Sequence, residues 1–333
     1  HASWSASYHR SMTQVATPSA VIGDFQDRHV SYGDASYFLH RRGDQFWVEM
    51  DDPDGPEGAT QRIERPIVMT TGSHHMQVYW YSSYSRVMGQ LPIFYLRQEQ
   101  MWVPRDAAFL RPVDDQHVSE TGRWNVKCMF CHTTHPMPRF VNGATMDTRV
   151  AEFGIACEAC HGPGAAHVRL RRANGGSVAN DPIVNPAELP AALASQVCGQ
   201  CHSVNFPLDR SGLRDEMNDG PRFRPGQPLA KNRVVVQRDG AGEAHLKKLF
   251  AGLPAYEDLS SHFDTQFWED GMIRVSGREY NGLLKSRCHV EGGMSCLSCH
   301  ALHRSDSDTR SVDEWRDDQL KPGMRADQGC LEC

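Results

Sequence analysis

Five Cys-x-x-Cys pairs lie in the last two-thirds of this 333-residue chain, and four are followed at once by His. They read Cys128-Met-Phe-Cys131-His132, Cys157-Glu-Ala-Cys160-His161, Cys198-Gly-Gln-Cys201-His202 and Cys296-Leu-Ser-Cys299-His300. The fifth, Cys330-Leu-Glu-Cys333, ends the sequence without its His. In a helical turn, positions i, i+3 and i+4 share one face. Two thiols so placed can add to the two vinyl groups on one haem edge while the next imidazole reaches the iron, which is c-type haem attachment. The Cys and His content of the chain predicts about 0.02 such motifs by chance, so four of them mean haem c. The rival is zinc, since paired Cys-x-x-Cys also builds four-cysteine ribbons. Zinc does not explain a His after every complete pair, and an odd number of pairs fits ribbons poorly. A redox Cys-x-x-Cys belongs once to a fold, not five times. The expected cofactor is therefore haem c at four complete sites, with a fifth at Cys330 and Cys333.

The proximal ligands follow as His132, His161, His202 and His300. Thirteen of the 17 histidines remain for the other face of each iron. Imidazole on both sides leaves no vacant position and suits electron transfer, whereas an open position permits substrate chemistry. His135 and His303 each follow a proximal His by three residues, and His167 follows His161 by six, across Gly162-Pro-Gly164. His9 and the His74-His75 pair are further distal candidates; His289, His117 and His262 stand behind them. Met12, Met137 and Met294 read as packing residues before axial ligands. Ten of the eleven cysteines belong to the pairs. The odd one, Cys288, reads as a buried apolar filler ahead of a reactive or ligating thiol.

These sites need elements to hold them. Residues 1–127 carry no attachment motif and read as a small antiparallel β unit supplying distal His ligands. Residues 35–40 and 45–50 form a hairpin about a Gly-Asp turn, and further strands are expected at 60–70, 76–82, 91–97 and 100–104. The cluster at 51–56 reads as a loop. Residues 128–333 read as the multihaem domain, mostly irregular and short-helical, wrapping a haem stack. It contains a motif-free insert at 206–287 with one β-like run at 233–237. Intervals between motifs are irregular, so this is a haem array and not a repeat solenoid.

Composition bounds the partners. The net charge is −6 with His neutral, and no basic patch with interleaved aromatics argues for nucleic acid. No apolar run approaches the ~18 residues of a membrane span. No signal peptide is visible, and the sequence begins at His1 and not at Met, which reads as a processed or trimmed start. Haem attachment requires reduced thiols on a translocated apoprotein. The expected place is outside the cytoplasm, periplasmic or at the cell surface, in a bacterium or archaeon.

The ordered set resembles a known family. It comprises Trp4…Tyr8-His9…Met12, Val21-Ile-Gly-Asp-Phe25, Gly72-Ser-His74…Gln77-Val-Tyr79 and Trp124-Asn…Cys128-x-x-Cys131-His132. It continues with Gly154-Ile-Ala-Cys157-x-Ala-Cys160-His161-Gly-Pro-Gly164…His167, Gln196-Val-Cys198-Gly-Gln-Cys201-His202 and Gly293-Met-Ser-Cys296-x-x-Cys299-His300-x-x-His303. This is similar to the cytochrome c-554-related multihaem cytochromes, in particular the branch often fused to tetratricopeptide repeats. The resemblance implies distal roles for His9, His74, His167 and His303. It also implies a further haem motif upstream of His1 and a His after Cys333, so that the chain looks cut at both ends. Cys288-His289 departs from the family pattern, and no tetratricopeptide pattern occurs in these 333 residues.

Two classes of function compete. The first is electron transfer along closely spaced bis-His haems, with redox proteins as partners. A variant is self-association into a filament in which haems continue across subunits. The second is a redox enzyme acting on a small nitrogen or sulfur oxyanion at an open haem, with Tyr256 or Tyr280 near the iron. No residue marks a catalytic haem. A third use, the β unit as a docking module, leaves no signature in the sequence.

Overall fold

The computed structural model describes residues 2–53, 61–83, 85–108, 123–141, 145–175 and 178–331. The chain divides into two compact units, His1–Ile155 and Ala156–Cys333. The first attachment pair, Cys128 and Cys131, thus lies inside the β unit, which runs past the 127/128 boundary expected from motif positions.

The first unit is built on nine antiparallel strands: β1 Thr13–Val15, β2 Arg28–Tyr32, β3 Ala35–Arg42, β4 Gln45–Asp51, β5 Arg62–Thr71, β6 Met76–Ser82, β7 Met88–Gln90, β8 Ile93–Leu96 and β9 Met101–Pro104. The order is β2-β3-β4-β5-β6-β8-β9, with β1 beside β5 and β7 beside β6. The expected hairpin is β3–β4, with Arg42 opposite Gln45. Gly43 at φ 60° opens its two-residue turn, a conformation that costs glycine nothing. The loop expected at 51–56 lies mostly outside the described residues. Strands β1, β2 and β7 were not foreseen; each is short or largely polar.

Alternation decides which face is buried. Tyr37, Leu39, Phe46, Val48 and Met50 point into one cluster with Phe25, Tyr79, Tyr81, Ile93, Tyr95 and Trp102. Fully burying one such side chain contributes about 1.5–3 kcal/mol. The strands β5, β6 and β8 bury their other face too, through Met69, Val78, Trp80 and Phe94. Ile67 and Met69 would share a face in a regular strand. A register shift between them sends Ile67 to the first cluster and Met69 to the second, as a β-bulge does.

The second unit is short helices and loops. The insert at 206–287 carries its own core of Val236, Leu246, Leu259, Phe263 and Phe267, joined by Val204. Within it, 205–207 pairs with 233–235, so the β-like run at 233–237 is a strand over its first three residues. No helix among the described residues is long and apolar enough to cross a membrane.

Candidate haem sites

Each complete motif closes a helical turn. The His132, His202 and His300 amides donate to the Cys128, Cys198 and Cys296 carbonyls at 3.0, 2.9 and 3.0 Å, and Cys157–His161 is itself a helix. This puts both sulfurs and the imidazole on one side, as covalent haem attachment requires. None of the eight cysteines is a fully buried residue, although free cysteine is ordinarily among the most buried side chains; burial nevertheless pushes the Cys160 thiol up to about 11. A zinc ribbon instead needs two pairs facing one ion; among the described residues no three His, Cys, Asp or Glu side chains converge that way. The residues fit haem c, which would supply the redox-active iron. The Cys330 side chain and Cys333 lie outside the described residues, as does His117.

In the first unit the attachment turn rests on the sheet. Met129 is fully buried, and Cys128 and Phe130 pack against the Trp80 and Phe94 face. Thr13 on β1 donates to the His132 carbonyl at 2.7 Å. The distal candidates of this unit sit on two loops that touch. Ser11 and Ser73 hydroxyls are 2.7 Å apart, and Tyr8 stacks on His74 at 4.3 Å, with His75 stacked on His74 at 3.7 Å. His9 stacks on Trp4 at 5.7 Å, and Trp4 donates to the Ile155 carbonyl at 3.1 Å. Gly154, at φ 70°, meets the Arg10 carbonyl, so that any side chain there would collide with the His9 loop. His135 is exposed, with a left-handed φ of 49°.

In the second unit the attachment turns are chained together. Gln200 donates to the Ala159 carbonyl at 2.9 Å, joining the second turn to the third. Ser195 accepts the Cys296 amide at 3.2 Å, joining the third to the fourth. The Cys198 and Cys296 thiols meet: their hydrogen bond pushes the Cys198 thiol up, as burial does, and draws the Cys296 thiol down. Gly329, in the helix Gln328–Leu331 that contains Cys330, faces the Cys299 sulfur.

The imidazoles of His161 and His303 lie with centroids 6.2 Å apart. One iron between two imidazoles, about 2 Å from each nitrogen, sets a separation of roughly 6 Å. The spacing of His161 and His303 is compatible with that separation.

Among the described residues, six histidines have ring nitrogens held by carbonyl or carboxylate oxygens, four through Nδ1 and two through Nε2. A metal-bound imidazole gives its other N–H to a carbonyl or carboxylate. The Nδ1 atoms of His161, His167, His202 and His289 sit 2.7 Å from the Val184 carbonyl, 2.7 Å from Asp181, 3.0 Å from Glu279 and 2.6 Å from the Met294 carbonyl. His40 and His245 instead engage Nε2, with Glu64 and the Pro207 carbonyl. These outer partners had no sequence signal; spacing finds the ligands and not what orients them. Burial pulls the Glu279 carboxyl upward, but bonds from His202 and from backbone amides hold it at about 2. His167 and Arg171 together hold Asp181 below the usual carboxylate range.

One expectation changes. Cys288 is exposed, on the outer side of the four-residue helix Arg287–Val290, and is not a buried filler. Tyr256 stacks on Phe250 at 3.9 Å, inside the insert. Tyr280 is buried against Gly199, whose Cβ would lie 2.6 Å from its ring, and burial pushes its phenol up to about 12.

No protein-family model and no curated protein matches the chain. Among solved structures, the "Outer Cell Wall Cytochrome OcwA" matches all of this chain and 64% of its own, at 17% identity and a TM-score of 0.54. An "Undecaheme cytochrome from S-layer of Carboxydothermus ferrireducens" matches 80% of this chain and 35% of its own, at 20% identity and a TM-score of 0.36, too partial a likeness to carry an argument. The chain therefore shares a fold with that outer cell wall cytochrome, of which it spans less than two-thirds.

Proposed function

We propose that this chain is an extracytoplasmic multihaem c-type cytochrome that moves electrons between redox proteins along closely spaced bis-His haems. The observation that carries the reading is the chain of attachment turns in the second unit, where Gln200 bonds 198–202 to 157–161 and the Cys198 and Cys296 thiols join 198–202 to 296–300. Haems fixed to touching turns are close enough to exchange electrons. The Nδ1 tethers at His161 and His202 support iron ligation through Nε2, and His303 opposite His161 supports a second imidazole. His9, His74 and His167 are the other distal ligands in this reading, in line with the cytochrome c-554-related motif order. His135 and His75 are the remaining distal candidates. The full-length fold likeness to an outer cell wall cytochrome favours a cell-surface location. A variant of this proposal is self-association into an assembly in which haems continue across subunits.

The test is electron paramagnetic resonance of the oxidised holoprotein, with carbon monoxide added after reduction. Low-spin ferric signals and negligible carbon monoxide binding are expected. Dominant high-spin iron, or strong carbon monoxide binding, would replace wiring with chemistry at an open haem.

A further inference from the structure

We propose that Glu279 makes the reduction potential of the haem attached at Cys198 and Cys201 more negative. The inference rests on the haem reading above and adds a residue that the motifs do not contain.

The three carbonyl- or carboxylate-tethered imidazoles nearest the attachment turns differ in what holds Nδ1. His161 meets a neutral backbone carbonyl, Val184, at 2.7 Å. His167 meets Asp181, whose other oxygen is bound by Arg171 at 2.7 Å, so a guanidinium draws off part of the charge. His202 meets Glu279 at 3.0 Å. Among the described ion pairs no Arg or Lys is bound to Glu279. A full carboxylate charge on Nδ1–H makes the imidazole a stronger donor through Nε2 and favours ferric over ferrous iron.

The carboxylate is placed, not merely near. Residues 277–281 strap the attachment turn: Arg278 donates to the Cys201 carbonyl at 3.0 Å, and the Tyr280 amide donates to the His202 carbonyl at 2.9 Å. The second Glu279 oxygen accepts the Gly277 amide at 2.6 Å, which fixes the rotamer. Arg278 spends its guanidinium on the Cys201 and Gly277 carbonyls. The Glu279 side chain is 64% exposed, so water screens part of its charge and the shift is smaller than a buried carboxylate would give. Glu279 is a positioning and tuning residue acting through His202.

The experiment is a potentiometric titration of the holoprotein, followed by electron paramagnetic resonance at stepped potentials, for wild type, Glu279→Gln and Glu279→Asp. Gln keeps an acceptor oxygen and removes the charge; Asp keeps the charge on a shorter arm. Expected is a positive shift of one haem in Glu279→Gln, a smaller one in Glu279→Asp, and unmoved midpoints for the others. Midpoints identical to wild type at full haem count would overturn the proposal. So would loss of the haem at Cys198 and Cys201 in both variants, which would make the strap purely structural. Peptide mass spectrometry of wild type separately reports whether Cys198 and Cys201 carry haem; its failure would sink the attachment reading itself.

Discussion

The two units hold themselves together differently. The sheet of the first unit buries Leu39, Val48, Tyr79, Trp80, Ile93 and Phe94 to 1% exposure or less. In the second unit, the described parts of 156–205 and 288–331 that carry the attachment turns bury few apolar side chains: Ala156, Ala194, Val197, Val204 and Trp315. What core the second unit has is concentrated in its motif-free insert. The first unit is thus a conventional folded body with one attachment turn laid on it. In the proposed reading, the motif-bearing segments of the second gain their apolar interior from the haems they bind. A haem covalently held on such a turn is both cofactor and core.

Withholding haem tests that contrast most severely. Protein made without haem attachment should keep slow amide exchange in β3–β6 and in the insert, and lose it across 157–204 and 288–331. Equal loss in both units would break the comparison. The next largest effect is local to the sheet. Trp102 packs edge-on against Phe25 and Tyr95 with centroids at 5.5 and 5.2 Å. Trp102→Ala should cost about 3–5 kcal/mol in denaturant unfolding followed by the sheet signal. The haem spectrum under native conditions should stay as it was. A third change sharpens the picture of the insert. Buried Asn281 accepts the Val204 amide at 2.7 Å and donates to the Val236 carbonyl at 2.8 Å. Asn281→Ala strands both, at about 1–3 kcal/mol for each buried group left unsatisfied. Thermal unfolding should place the loss in the insert; a wild-type melting curve would show that water replaces the side chain there.

What could be read from the sequence divides along the same line. The attachment turns were legible because covalent chemistry fixes both residue type and spacing, as at Cys157-x-x-Cys160-His161. Strands β3 to β6 were legible because alternation such as Phe46, Val48, Met50 has one explanation. Two features were not legible. The bulge between Ile67 and Met69 follows Pro66, which marks an irregular strand but does not say that the buried face switches there. The partners of the imidazoles, Asp181 and Glu279, lie 14 and 77 residues from His167 and His202, and no local period connects them. Cys288 was misread because cysteine's usual burial was applied to a residue whose four-residue helix has too little neighbouring structure to cover it.

The smallest expected effect concerns acid, and it probes the least-cored segment directly. Past His303 the chain is held by ionic bonds: Arg310 grips Asp308 through two contacts, at 2.7 and 3.0 Å, and Arg304 donates to the Asp308 and Arg310 carbonyls. The hydrogen bond from Arg310 and its charge, with that of Arg304, outweigh burial and hold the Asp308 carboxyl at about 2. A carboxyl lowered by folding stabilises the native state fully above its unfolded value, near ~4, and loses that contribution as pH falls through its folded value. The window is therefore roughly pH 4 down to 2. Glu314 and Asp318 also face Arg310, so the wild-type slope alone would not isolate Asp308. Asp308→Asn removes its titration and leaves theirs. The variant should be less stable than wild type at neutral pH and should converge with it below pH 2. A constant offset between the two melting temperatures across that range would mean that the loop is held by shape and not by charge. The haem-bearing segment would then have a packing contribution that its buried side chains do not reveal.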